Sequence, residues 1–178
     1  MGDSLQHRSR FVQYLFFVRR ERTAGERTSE SMSKVAEGKE DCEKLMNAVL
    51  PFAQKMLAEH REFYPFGGYM KPTGEIAHVG VQDADTDYPK SKDLLNLLHQ
   101  SHSAMARAGE CRATVIVFDV RIDLPGTNQK SDAIQVCLEH ADGYSAEVFF
   151  PYKIAEDGRV AHGAMFAQEG KHEIFGKS

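Results

Sequence analysis

The segment Asp132-Ala-Ile-Gln-Val-Cys-Leu-Glu-His140, Ala141-Asp142-Gly143, Tyr144-Ser-Ala-Glu-Val-Phe-Phe150 contains two alternating runs joined by a turn. Apolar side chains recur at every second position, the period of a strand with two unlike faces. A three-residue loop pairs Leu138 with Ala146, Val136 with Val148 and Ile134 with Phe150. A two-residue loop would set every inward residue against an outward one, so parity selects three, with Gly143 left-handed. An antiparallel hairpin is therefore the nucleus of the predicted sheet.

Upstream, Ala113-Thr-Val-Ile-Val-Phe-Asp-Val-Arg-Ile-Asp123 alternates in the same way. Thr114, Ile116, Phe118, Val120 and Ile122 are expected to face inward, with Asp119, Arg121 and Asp123 outward. Residues 63–70 and 76–81 read as a hairpin around a turn containing Pro72 and Gly74. Further strands are expected around 160–167 and 173–175. Apolar positions Cys42, Leu45, Met46, Val49, Ala53, Met56, Leu57 and His60 mark a helix over 37–60, with His60 packed and a kink or break at Pro51. Ser91 is a suitable N-cap for a second helix ending near Gly109. Leu94, Leu97, Leu98, Ser101, Met105 and Ala108 form its expected apolar face, with His99 and His102 at the edge. The order α-β-β-α-β-β-β-β, without a βαβ rhythm, predicts an α+β fold. Its expected form is a mainly antiparallel sheet of about five to six strands, with two helices packed on one face.

The chain has 178 residues, 42% of them apolar and 27% charged, and a net charge of −4. A chain of this length buries roughly 70% of its unfolded surface, enough for a core that needs no metal or disulfide. The pI of about 6.1 argues against nucleic acid as a partner, since phosphate binding draws on clustered Lys and Arg. Cys42, Cys111 and Cys137 fit neither a disulfide framework nor a zinc knuckle, and are expected as reduced thiols in the cytoplasm.

Residues 1–31 carry six Arg, no Lys and four acids, so they are net +2 and residues 32–178 are −6. The apolar run Phe11-Val-Gln-Tyr-Leu-Phe-Phe-Val18 is far short of the roughly 20 residues of a transmembrane helix. The expected organisation is an extension over 1–31 and a single α+β domain over 32–178. Three readings of the extension stand: a region upstream of a working start at Met32, a disordered arm, or a short interfacial helix.

Asp83-Ala-Asp-Thr-Asp87 opens like a calcium loop but has Tyr88 where a glycine is needed and Leu94 where a bidentate Glu closes the cage. His99 and His102, three apart on a helix, could share a metal only with a third ligand such as His78, His140 or His162. No metal or other cofactor is predicted. The outward sheet face groups Asp119, Arg121, Gln135, Glu139 and Glu147, with Cys137 opposite Glu147, and with Asp119 opposite Cys137 if Val120 pairs with Val136. Carboxylates beside an arginine suit acid–base work or the grip of a charged ligand, although solvent-facing strands carry such charges as a matter of course. The triplets Tyr64-Pro65-Phe66 and Phe150-Pro151-Tyr152 place proline at strand ends and could line a groove at one end of the sheet. No G-x-S-x-G, Walker, dinucleotide or H-E-x-x-H signature occurs.

Residues Tyr64-Pro-Phe-Gly67, Gly74-Glu75, Ser131-Asp-Ala-Ile134, Leu138-Glu-His140, Gly143 and Pro151-Tyr152 resemble a group of small bacterial proteins of unknown function. The resemblance covers about residues 40–175 and implies an α+β fold, but no activity.

The expected function is a non-catalytic cytosolic binding domain that contacts a protein partner or a second copy of itself. Contact would run through the outward face or the edge near Phe149, with Arg121, Gln135, Tyr64, Phe66 and Tyr152 as further contact residues. The alternatives are a small hydrolase or other enzyme using Asp119, Glu139, Glu147 and His140 or His162, and a small-ligand sensor holding its ligand between sheet and helices.

Overall fold

The computed structural model describes residues 29–80 and 90–176. The apolar run 11–18 and the acidic loop 83–87 lie outside the described residues. The elements are helix α1 (Ser29–His60), strands β1 (Phe66–Met70) and β2 (Ile76–Gly80), helix α2 (Ser91–Arg107), and strands β3 (Ala113–Asp123), β4 (Lys130–His140), β5 (Ser145–Ile154), β6 (Val160–His162) and β7 (Phe166–Glu169). The fold is α+β with a seven-stranded antiparallel sheet in the order β2-β1-β3-β4-β5-β6, and β7 also pairs with β5. Neither described helix is long and apolar enough to cross a membrane.

The β4–β5 register is the one that loop parity requires: Leu138 opposite Ala146, Val136 opposite Val148, Ile134 opposite Phe150. Gly143 holds φ +84° in the joining turn, a conformation that costs a residue with a Cβ. Residues 160–167, where strands are expected to continue, form β6 and part of β7 on the same edge of β5; residues 173–175 are not a strand.

Helix α1 buries Cys42, Leu45, Met46, Val49, Leu50, Ala53 and Leu57 against Val115 and Val117 of β3, Ile134, Val136 and Leu138 of β4, and Val148 and Phe150 of β5. Each fully buried Val or Leu contributes about 1.5–3 kcal/mol. Pro51 neither breaks nor splits this helix. Pro51 and Asn47, whose carbonyl the proline leaves without its usual donor, both lie on the exposed side, where water can satisfy that oxygen. His60 is exposed rather than packed, as are Ala58, Glu59 and Arg61 around it.

The two helices lie on opposite faces of the sheet, not on one. A Cβ at Gly67 would stand 2.6 Å from Cε1 of His102 on α2, whereas a Cβ at Gly68 would stand 3.4 Å from Val49 on α1. Successive residues of a strand face opposite ways, so α1 and α2 clasp β1 between them. Helix α2 also turns a different face inward: Leu94, Leu98 and His102 are buried, while Leu97 and Ser101 are exposed. Lys90 occupies its N-cap without a side-chain bond, which makes Ser91 the first helical residue. The amides of Gly109 and Glu110 close its far end on the carbonyls of Ala106 and Met105.

Strand β3 is reversed relative to its expected sidedness. Val117 pairs with Val136, Ile116 with Cys137 and Asp119 with Ile134, so Asp119 and Arg121 lie on the α1 side while Thr114, Ile116 and Phe118 face the α2 side. Residues 113–117 are buried on both faces, and their composition therefore carries no signal about which face is which.

Gly67→Ala should cost about 1–3 kcal/mol, read as a lowered urea midpoint. The added methyl meets the His102 ring and also the Val115 carbonyl at 2.9 Å, and the backbone cannot move aside as a side chain can.

Candidate functional site

The titratable residues singled out from sequence are distributed over four separate places. On the α1 side, near the β3–β4 turn, Tyr152 donates its hydroxyl to Asp119 at 2.8 Å and Arg121 pairs with Asp132 at 2.9 Å. Burial and the neighbouring Asp132 raise the Asp119 carboxyl above its ordinary value, against the bond from Tyr152. Burial, followed by that same bond, raises the Tyr152 phenol.

At the opposite end of the sheet, His140 is buried beside Asp41 of α1. The Asp142 amide donates to Nδ1 of His140 at 3.0 Å, which leaves the imidazole proton on Nε2, 3.5 Å from Asp41 Oδ2. Burial lowers the His140 pKa, and Asp142 and Asp41 oppose that shift. Arg112 bonds Asp41 at 2.9 Å and the Pro72 carbonyl at 3.1 Å. The cluster ties α1, the β1–β2 turn, β3 and the β4–β5 turn together. A Cβ at Gly38 would come within 2.9 Å of the His140 ring, so α1 seats on this histidine only through a residue without a side chain.

The sheet face read from sequence as outward is covered. Helix α2 lies over β1 and β3, and the C-terminal segment 170–176 lies over β4 and β5. The Glu139 carboxylate, buried, accepts the backbone N–H groups of Glu173, Ile174 and Phe175 at 2.7, 2.9 and 3.2 Å. Glu147, also buried, accepts from Gln168 at 2.6 Å and faces Lys171 at 3.9 Å. Gln135 donates to the Cys137 sulfur at 3.4 Å. A cleft of about 70 Å³ remains among these groups. Burial, then Glu147, pushes the Cys137 thiol up to about 12, and burial pushes Cys111 up to about 11. Burial also raises Cys42. All three cysteines are free thiols that stay protonated near neutral pH.

His99 and His102 do not converge. His99 faces Glu173 at 3.6 Å, whereas His102 is fully buried and neither ring nitrogen has a hydrogen-bond partner. Burial, then the nearby His99, lowers the His102 pKa to about 4, so the ring is neutral. Among the described residues, no group of three or more His, Cys, Asp or Glu is placed to hold a metal ion.

The fourth place is a groove of about 480 Å³ at the corner of the sheet. Leu124 and Pro125 of the β3–β4 turn form one wall, Pro151, Tyr152 and Lys153 of β5 the floor, and the segment from Ala161 to Phe166 the other wall. Phe166 stacks on Phe149 with ring centroids 4.9 Å apart, which fixes the outer wall to the sheet. The triplet Phe150-Pro151-Tyr152 does contribute to a groove, as expected. Tyr64-Pro65-Phe66 does not line it: Tyr64 is exposed, and Phe66 is buried against Phe52 and Phe63. His162 stands on the groove wall, far along the chain from the carboxylates it was grouped with. Lys153, Met165 and Phe166 were not singled out in the sequence; the only pointer to them was the proline that ends the apolar run of β5.

No protein-family model, curated protein or solved structure matches the chain.

Two outcomes follow from this chemistry. The unfolded chain takes up a proton on His102 near pH 6.5 and the folded chain only near 4, so the stability this residue confers is whole above pH 6.5 and lost as the pH falls toward 4. The loss should reach about 3 kcal/mol in urea titrations at successive pH values, and His102→Leu should remove that part of the acid sensitivity. Glu139→Gln should speed hydrogen exchange at the amides of Glu173, Ile174 and Phe175 and cost about 1–3 kcal/mol, since a carboxylate accepting three backbone donors is replaced by an amide that presents a donor of its own.

Proposed function

We propose that this chain is a ligand-binding domain working in the reducing cytoplasm, and that its ligand site is the corner groove. The observation that carries the reading is the groove itself: about 480 Å³, mostly apolar, and assembled where the β3–β4 turn meets the β5–β6 hairpin and the segment that follows it. Small-molecule sites have typical volumes of about 300–1,000 Å³ and are lined mainly by apolar side chains with a few polar groups. Three free, protonated cysteines suit a reducing compartment.

The sheet face that the sequence nominated as a contact surface offers less. Glu139 and Glu147 already bond the C-terminal segment and the neighbouring strand, and β7 occupies the edge beside Phe149. The hydrolase alternative requires Asp119, Glu139, Glu147 and a histidine to converge. Asp119 lies on the α1 side and the two glutamates on the other, while His140 is held by Asp41 and Asp142 at the far end. The sensor alternative comes closest, with the ligand at the corner rather than between sheet and helices.

N-phenyl-1-naphthylamine, a neutral apolar dye that fluoresces on leaving water, should bind saturably. Ala164→Trp, an exposed position on the groove wall, should weaken binding at least about tenfold without moving the thermal midpoint by more than about 2 °C. Unaltered dye binding by the tryptophan variant, or no saturable binding at all, would remove the groove from consideration.

A further inference from the structure

The geometry points to a small carboxylate with an apolar body as the ligand of the corner groove, an assignment that rests on the binding reading above. It follows from which polar groups of the lining are already committed. Tyr152 gives its hydroxyl to Asp119 at 2.8 Å. Ser131 donates to the carbonyls of Asp132 and Tyr152 at 3.0 and 3.2 Å. Thr127 donates to the Leu124 carbonyl and accepts from the Gln129 amide. Among the described residues, the lining side chains with uncommitted polar atoms are Lys153 and His162, and no Asp or Glu lines the groove.

Of the described lysines, Lys153 is the one that lines the groove. Lys44, Lys55, Lys71, Lys130 and Lys171 each lie within 4.0 Å of a carboxylate. Lys153 has no carboxylate partner among the described residues. Its aliphatic stem can lie along apolar surface while the charged head stays at the rim. An anion set there gains a charge-assisted hydrogen bond, shorter and stronger than one between neutral groups. One fixed positive charge, with no arginine fork in the lining, matches a singly charged carboxylate better than a phosphate. The apolar surface of Pro151 on the floor and of Met165 and Phe166 on the wall then takes the body of the molecule.

The test uses the full chain and two probes of equal length, decanoate and decan-1-ol, each titrated by displacement of N-phenyl-1-naphthylamine. Decanoate should bind about tenfold more tightly than the alcohol. Lys153→Met, which keeps the stem and removes the charge, should bring decanoate to the affinity of the alcohol, and Lys153→Arg should restore most of the difference. If both probes displace the dye equally and Lys153→Met changes nothing, the carboxylate assignment is overturned while the groove stands as a binding site. If Ala164→Trp leaves decanoate binding intact, the carboxylate is held elsewhere and the assignment is overturned. If neither probe competes with a dye whose binding Ala164→Trp weakens, the carboxylate assignment is overturned while the groove stands as a binding site.

Discussion

The architecture depends on a strand that has no side chains where two helices converge. Gly67 and Gly68 face opposite sides of the sheet, one toward His102 of α2 and the other toward Val49 of α1 and Val115 of β3. Protein interiors are packed as densely as organic crystals, so a single methyl group at either position has to displace an atom already in contact. The close approach on the α1 side allows a helix of 32 residues to seal a core shared by β1, β3, β4 and β5. On the other side it buries an imidazole whose two nitrogens have no partner. That second contact leaves two buried ring nitrogens unpaired, a desolvation cost that grows when the ring takes up a proton.

Buried charge elsewhere is used to fasten chain segments. The Glu139 carboxylate gathers three consecutive backbone donors from the last described residues and so pins a segment that has no strand pairing of its own. Asp41 acts comparably at the opposite end of the sheet, where Arg112 and His140 converge on it from the β3 and β4 ends. Charged acceptors held by several donors are stronger than neutral pairs, and their removal leaves buried donors without water. Side chains that look reactive in a sequence thus turn out to be fully occupied in holding the fold.

What could be read in advance was whatever depended on parity or on a single dominant face. The β4–β5 register followed from the loop length, because a shift of one residue would have turned Ile134, Val136 and Leu138 away from their partners. The α1 stripe followed from the helical period. Strand β3 could not be oriented, since residues 113–117 are buried on both sides and only the outer half alternates. The placement of α2 across the sheet from α1 depends on tertiary packing around Gly67 that no local pattern records. The site was legible only in part. Phe150-Pro151-Tyr152 pointed to a groove, but Phe166 joins it only through a return of the chain after β6. Asp119 and Arg121 left the expected constellation with the reversal of β3.

The way the chain covers β5 bears on its resistance to aggregation. This strand is ten residues long and almost wholly buried, and left open it would offer another molecule an apolar ladder of the kind that seeds intermolecular sheets. Two short strands share its outer edge, with β7 paired to residues 146–149 and β6 to residues 152–154. Between them lies Pro151, which has no N–H to offer, and its carbonyl is taken by the Gly163 amide at 2.7 Å. The outer rim that results consists of one piece of three residues and another of four, separated by a bend, too short and too broken to template a continuous ladder between molecules.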